Sequence, residues 1–268
     1  MSRNFELLQS ITETADSLEV PVVSTSEPFE PRGCPEDLPT SLLVAERPSS
    51  NISHAAREEV AKLIQAVFLS PSNCSPQQRW QNAVVFCGFE AGKSVALLTP
   101  IASDILSREV PNVRVCAIDA DFDNPSLHQH FSISQCAGLA EALRNPQASH
   151  RFTRRVASNL WVMCSGGWPL DVDRQAEITS NAVSAVIDNL KKSFGYILIN
   201  GGCTIESSSS FSLGKAGCGL ILVIEANSTR HSIAEKYKNS FVTSGINLLG
   251  AVLHKSSSPT LPSFYKIF

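Results

Sequence analysis

Val84-Val85-Phe86-Cys87-Gly88-Phe89-Glu90-Ala91-Gly92-Lys93-Ser94 decides the fold. It reads as a short buried strand running into Gly-Lys-Ser, the core of a phosphate-binding loop. The full motif carries a Gly five residues before the Gly of Gly-Lys-Ser. Here that position is Cys87, and Gly88 follows one place late. A Gly-rich turn from a strand into a helix N-terminus aims several backbone N–H groups at one point, where the helix dipole adds partial positive charge. The flanks supply that context. The apolar run 83–86 precedes the loop, and Val95, Leu97, Leu98, Ile101, Ile105 and Leu106 follow at helical spacing. Gly88, Phe89, Glu90, Ala91, Gly92, Lys93, Ser94 and Val95 therefore form the expected cofactor-binding loop. Lys93 is placed to reach phosphates, and Ser94 to bind Mg²⁺ through its hydroxyl.

Outward from the loop, strand-like runs recur near 83–87, 113–118, 160–164, 196–200, 219–224 and 248–253. Helix-like runs fall near 93–108, 137–144, 174–192, 205–215 and 229–243. This alternation predicts an α/β fold of the P-loop NTPase type, a mostly parallel sheet with helices on both faces. A further helix is expected from about His54 to Phe68, with Ser53 as its cap. Residues 1–53 read differently, as a short amphipathic helix followed by a Pro- and Ser-rich linker with little fixed structure. The expected division is thus 1–53 and a nucleotide-binding domain over 54–268.

Composition narrows the function. A net charge of −3 does not mark a nucleic-acid binder, which is strongly basic. The eight Cys form no Cys-x-x-Cys pair, which fits a reduced compartment. The first residues show no apolar signal core, and no apolar run reaches the roughly 18 residues of a membrane span. The expectation is a cytoplasmic protein that meets a membrane only through a partner.

The second chemical signal is Val115-Cys116-Ala117-Ile118-Asp119-Ala120-Asp121, a strand ending in two acids. Carboxyl ends of parallel strands face the ligand crevice, and residues two apart on a strand share a side. Asp119 and Asp121 suit Mg²⁺, directly or through its waters. Alone, they read rather as a solvated strand end with two acids. His128 and His130 are too few for a metal site, and Arg151, Arg154 and Arg155 read as a solvated basic cluster on a loop or helix.

The run DADFDNPSLHQHF from Asp119, followed by GLAEAL from Gly138, resembles a signature of bacterial tyrosine kinases of the CpsD/CapB type, a branch of the MinD/ParA-like P-loop ATPases. Asn159-Leu160-Trp161-Val162-Met163, Phe194 to Asn200, Leu222 to Arg230, and Gly250 to His254 are similar to later motifs, in the same order. The resemblance implies an ATP- and Mg²⁺-binding, tyrosine-kinase-like protein of capsule or exopolysaccharide polymerisation and export. It implies Lys93, Asp119 and Asp121 as catalytic residues. Ser94, Asp119 and Asp121 would be the metal ligands, with Asn200 behind them. It also implies a separate membrane partner, a chain-length regulator or polysaccharide co-polymerase, and leaves room for a homo-oligomer. The protein would then sit peripherally at the inner membrane.

Departures from the pattern favour a second reading, a nucleotide-binding regulator with weak or no catalysis. Asn200 stands where the family ends its strand in Asp. Gly201-Gly202-Cys203 replaces Thr-Pro-Pro, Asp123-Asn124 replaces an Arg-rich pair, and Glu90 puts negative charge in the loop. Only Tyr265 of the three Tyr is tail-like, where the family carries a cluster. A positioning ATPase of the ParA/MinD kind is a weaker third reading.

Overall fold

The computed structural model describes residues 54–69, 82–89, 93–168, 173–202, 208–226, 229–255 and 263–267. The expected N-terminal helix and linker over 1–53 lie outside them. Helix α1 (His54–Ile64) continues into a π-helical turn (Gln65–Leu69). Then come β1 (Ala83–Gly88), α2 (Lys93–Glu109), β2 (Val115–Asp119), α3 (Leu127–His130) and α4 (Leu139–Arg144). A 3₁₀ helix (Pro146–Phe152) leads to β3 (Thr153–Arg155) and β4 (Leu160–Met163). The remainder is α5 (Arg174–Glu177), α6 (Ser180–Leu190), β5 (Tyr196–Asn200), α7 (Ser208–Lys215), β6 (Gly219–Glu225), α8 (His231–Thr243), β7 (Leu248–Lys255) and β8 (Ser263–Ile267).

The strands form one sheet in the order β3-β4-β2-β5-β1-β6-β7-β8. The six inner strands are parallel, while β3 and β8 pair antiparallel at the two edges. Two buried clusters explain why the strands read as continuous apolar runs. Ala83, Val85 and Cys87 point into one cluster with residues of α4, α6, α7 and α8. Val84 and Phe86 point into the other, with residues of α1, α2 and α3. Strands covered on both faces alternate between two cores rather than between core and water. Asn159, 7% exposed, ties the edge opposite the expected site. Its amide nitrogen lies 2.7, 2.9 and 3.1 Å from the carbonyls of Ser107, Val110 and Val113, fixing the passage from α2 into β2.

Some expectations change. The helix expected over 174–192 is two helices, because Thr179 adopts an extended backbone and its hydroxyl accepts the Ala182 N–H as an N-cap. The arginine cluster contributes an edge strand, and Arg155 lies 5.4 Å over the Trp161 ring. The backbone of Tyr265 pairs with Leu253 in β8, so the tail extends the sheet.

Candidate functional site

β1 lies between β5 and β6: the crossover from β1 to β2 runs to one side, and the one from β5 to β6 passes β1 to the other. Such a switch point opens a crevice beyond the carboxyl ends of the strands. Of the expected site residues that are described, Gly88, Phe89, Ser94, Asp119, Asp121 and Asn200 fall on that edge. In register, Phe86 faces Asn200 on one side, Asn200 faces Asp119 beyond it, and Gly88 faces Val223 on the other.

The β2–β5 corner is a closed hydrogen-bond network. Asp119 is fully buried. Its Oδ2 accepts the N–H groups of Ser126 and Leu127 at 2.8 and 2.9 Å, capping α3. Its Oδ1 accepts Asn200 Nδ2 at 2.9 Å and the Asp121 N–H at 3.3 Å. A carboxylate has about four lone-pair sites, and four donors fill them. Burial pushes the Asp119 carboxyl above its ordinary value, and these same donors oppose that rise. Asn200 is equally committed, its Oδ1 accepting the Gly202 N–H at 3.2 Å. An Asp at 200 would set a second carboxylate against Asp119 in a buried corner. The amide instead supplies a donor, so this corner holds together without a cation.

Gly201 and Gly202 are dictated by close approach. A Cβ on Gly201 would come 2.6 Å from Cys87 Sγ and 2.9 Å from the Phe86 carbonyl. Gly202 has φ +73°, and a Cβ there would lie 2.8 Å from the Asp121 carboxylate. Cys87 therefore belongs with the glycines. Its sulfur fills space next to Gly201, and its thiol reaches Ser210 Oγ at 3.8 Å.

Asp121 is 8% exposed, and its Oδ1 accepts the Asn124 N–H at 2.9 Å. Burial pushes its carboxyl up, against the N–H groups of Asn124 and Asp123, and the Asp123 charge adds to the rise. A carboxyl raised in the folded state binds more protons there than in the unfolded chain. Its ionisation therefore costs stability as pH climbs from the unfolded value, about 4, through the raised native one. Asp121→Asn, which keeps the accepting oxygen, is expected to gain stability relative to wild type between pH 4 and pH 7. Denaturant midpoints at the two pH values measure this. An equal gap at both would show that burial leaves Asp121 unperturbed.

The β1–β6 corner contains a residue not anticipated in the sequence. The buried Ser94 hydroxyl donates to the Glu225 carboxylate at the end of β6. The signal was available: an acid closing the apolar run 219–224, on the strand beside the loop. The Glu225 N–H donates to Thr229 Oγ1 at 3.2 Å, and the Thr229 N–H returns to the Glu225 carbonyl at 3.0 Å. Val95 is buried among the helices beneath the sheet. Gly88 ends β1 and its N–H donates to the Gly202 carbonyl at 2.9 Å, joining the two corners. Phe89 packs edge-on against Tyr237 of α8, ring centres 6.1 Å apart. Glu90, Ala91 and Gly92 lie outside the described residues, as does the side chain of Lys93.

No family model and no curated protein matches this sequence. Solved structures do. The BceF tyrosine kinase domain superposes with a TM-score of 0.61 at 19% identity, over 75% of this chain and 78% of that one. The chimerical protein CapA2B2 gives 0.59 at 20% identity, over 90% and 97%. The kinase domain of the Escherichia coli tyrosine kinase ETK gives 0.54 at 16% identity, over 69% and 71%. This is the bacterial tyrosine-kinase-domain fold. A ParA family ATPase from Chlorobium tepidum shares it more distantly, with a TM-score of 0.52 at 15% identity over 67% of this chain and 75% of that one. The kinase-domain fold accounts for the parallel sheet and the switch point at β1.

Proposed function

We propose that this protein binds ATP with Mg²⁺ and acts as a tyrosine-kinase-like component of exopolysaccharide or capsule polymerisation and export, beside a separate membrane partner. The observation that carries the reading is the position of Ser94, Asp121 and Glu225. All three lie at the carboxyl edge of a kinase-domain fold: Ser94 at the start of α2, Glu225 at the end of the strand beside β1, and Asp121 beyond β2, against Gly202. Their oxygens are the hard donors Mg²⁺ takes, so the residues present fit the metal. Lys93 and the loop 88–92 would hold the phosphates and Ser94 the metal, and MgATP when bound would supply the phosphoryl group. Asp119, with its lone pairs taken, acts as a positioning residue that fixes Asp121 and α3.

Among the described residues no helix is long and apolar enough to cross a membrane. A peripheral place at the inner membrane therefore rests on the proposed partner, a chain-length regulator or co-polymerase. Calorimetric titration with MgATP tests the binding. Lys93→Ala is expected to weaken it at least tenfold, about 1.4 kcal/mol. No binding by the wild type at millimolar MgATP would sink the reading.

A second reading is favoured by the saturated Asp119 and the neutral Asn200: a nucleotide-binding regulator of the same complex without phosphoryl transfer. An ATP-dependent phosphotyrosine signal on the protein with its membrane partner, lost in Lys93→Ala, would select the kinase. Binding without that signal would select the regulator.

A further inference from the structure

The charge missing at Asn200 has a counterpart on the other side of β1. We propose that Glu225 supplies the metal-facing carboxylate of this site, so that Mg²⁺ would be held by Ser94 Oγ and Glu225 at the β1–β6 corner rather than by Asp119 and Asn200 at β2–β5. This rests on the nucleotide-binding reading above.

Two observations lead there. At β2–β5 Asp119 and Asn200 are spent, and Asp121 has one carboxylate oxygen engaged by the Asn124 N–H. Asp119 accepts four donors, and Asn200 uses its nitrogen on Asp119 and its oxygen on Gly202. A cation at that corner would have to break a buried network that already satisfies itself. At β1–β6 the hydroxyl of the loop serine already touches a carboxylate. Glu225 ends β6, whose pairing with β1 runs to Gly88↔Val223, so its side chain starts two residues beyond the last paired position. Its backbone is held by the mutual Glu225–Thr229 bonds, which leave the carboxylate oxygens for Ser94 and a ligand.

Electrostatics sharpens the assignment. A carboxylate within a hydrogen bond of the serine that meets the phosphates repels ATP that lacks a metal. A divalent cation bound at this corner would offset that repulsion. Glu225 thus makes nucleotide binding depend on the divalent ion, which a neutral residue there would not do.

The test measures ATP binding by calorimetry with excess EDTA and with MgCl₂, together with Mn²⁺ binding by electron paramagnetic resonance in the presence of ATP. Wild type, Glu225→Gln and Glu225→Asp are compared, and Gln keeps an oxygen to accept from Ser94. For the wild type, MgCl₂ is expected to strengthen ATP binding strongly. Glu225→Gln should bind metal-free ATP more tightly than wild type, bind MgATP about tenfold more weakly, and lose most of its bound Mn²⁺. Glu225→Asp should fall between the two. An unchanged Mg²⁺ enhancement and unchanged Mn²⁺ binding in Glu225→Gln would overturn the inference while leaving nucleotide binding intact. Tighter binding of both metal-free and Mg²⁺-loaded ATP would also overturn it, showing that Glu225 only competes for Ser94. Absence of binding in all three proteins under both conditions would remove the nucleotide reading and this inference together.

Discussion

Asp119→Ala is expected to lose about 3–5 kcal/mol of folding stability, enough to leave a domain of ordinary stability partly unfolded. The substitution removes one carboxylate but strands four donors: the Asn200 amide and the N–H groups of Asp121, Ser126 and Leu127. All four point into a position closed to solvent. The loss should appear as a lower denaturant midpoint with an unchanged slope. Asp119→Asn should lose less, since its carbonyl oxygen still caps α3 and its nitrogen opposes only the Asn200 amide and the Asp121 N–H. A fall in nucleotide binding in Asp119→Ala would therefore report a collapsed β2–β5 corner before it reported a missing ligand. A stability change below about 1 kcal/mol would show that Asp119 does not brace this corner.

Gly138→Ala should be nearly as damaging, by a steric route. Gly138 precedes α4, and an added Cβ would lie 1.9 Å from the Cys164 carbonyl oxygen and 2.5 Å from its carbon. Both neighbours are backbone, so neither can rotate away. That carbonyl also accepts the Leu139 N–H at 2.8 Å, and the Ser165 carbonyl accepts Ala140 at 2.9 Å. Glu141 completes the joint, accepting the N–H of Gly138 at 2.7 Å and of Gly167 at 3.1 Å. Relief of the clash separates α4 from the end of β4 and breaks these bonds together. We expect a loss of about 3 kcal/mol, a drop of roughly 6–12 °C in Tm. Gly217→Ala is the control. Gly217 has φ +80° but nothing within 4 Å of an added Cβ, so it should cost only backbone strain, about 1 kcal/mol. Equal losses in the two variants would show that crowding at Cys164 is not the cause.

The inner sheet was legible because its strands are buried on both faces and stand out as apolar runs. Residues 196–200 and 219–224 reappear almost unchanged as β5 and β6. Thr153–Arg155 was not, because three polar residues at a sheet edge carry no periodicity. The break at Thr179 had a local sign, a Thr ahead of Ser-Asn-Ala, hidden by the apolar pattern running on both sides of it. The site was legible in position rather than in role. Asp119 and Asp121 announce a strand end facing a crevice. Whether such a carboxylate is open or saturated depends on donors from 126, 127 and 200, which no spacing rule connects. Ser94 and Glu225 are likewise 131 residues apart. Cys87 looked like a lost Gly, yet it is half of a fit with Gly201 that only the paired strands bring together.

The strand Thr153–Arg155 bears on how copies of this protein behave beside one another. A long parallel edge strand presents a row of open donors and acceptors that a neighbouring chain can extend into an aggregate. Here β4 is shielded by a strand of three residues running the other way, with Arg154 exposed and Arg155 laid over Trp161. So short and cationic an edge offers little to a second sheet, even in a crowded cell. Orderly self-association on this side must then proceed through helices or loops, and mispairing during synthesis is discouraged by the same three residues.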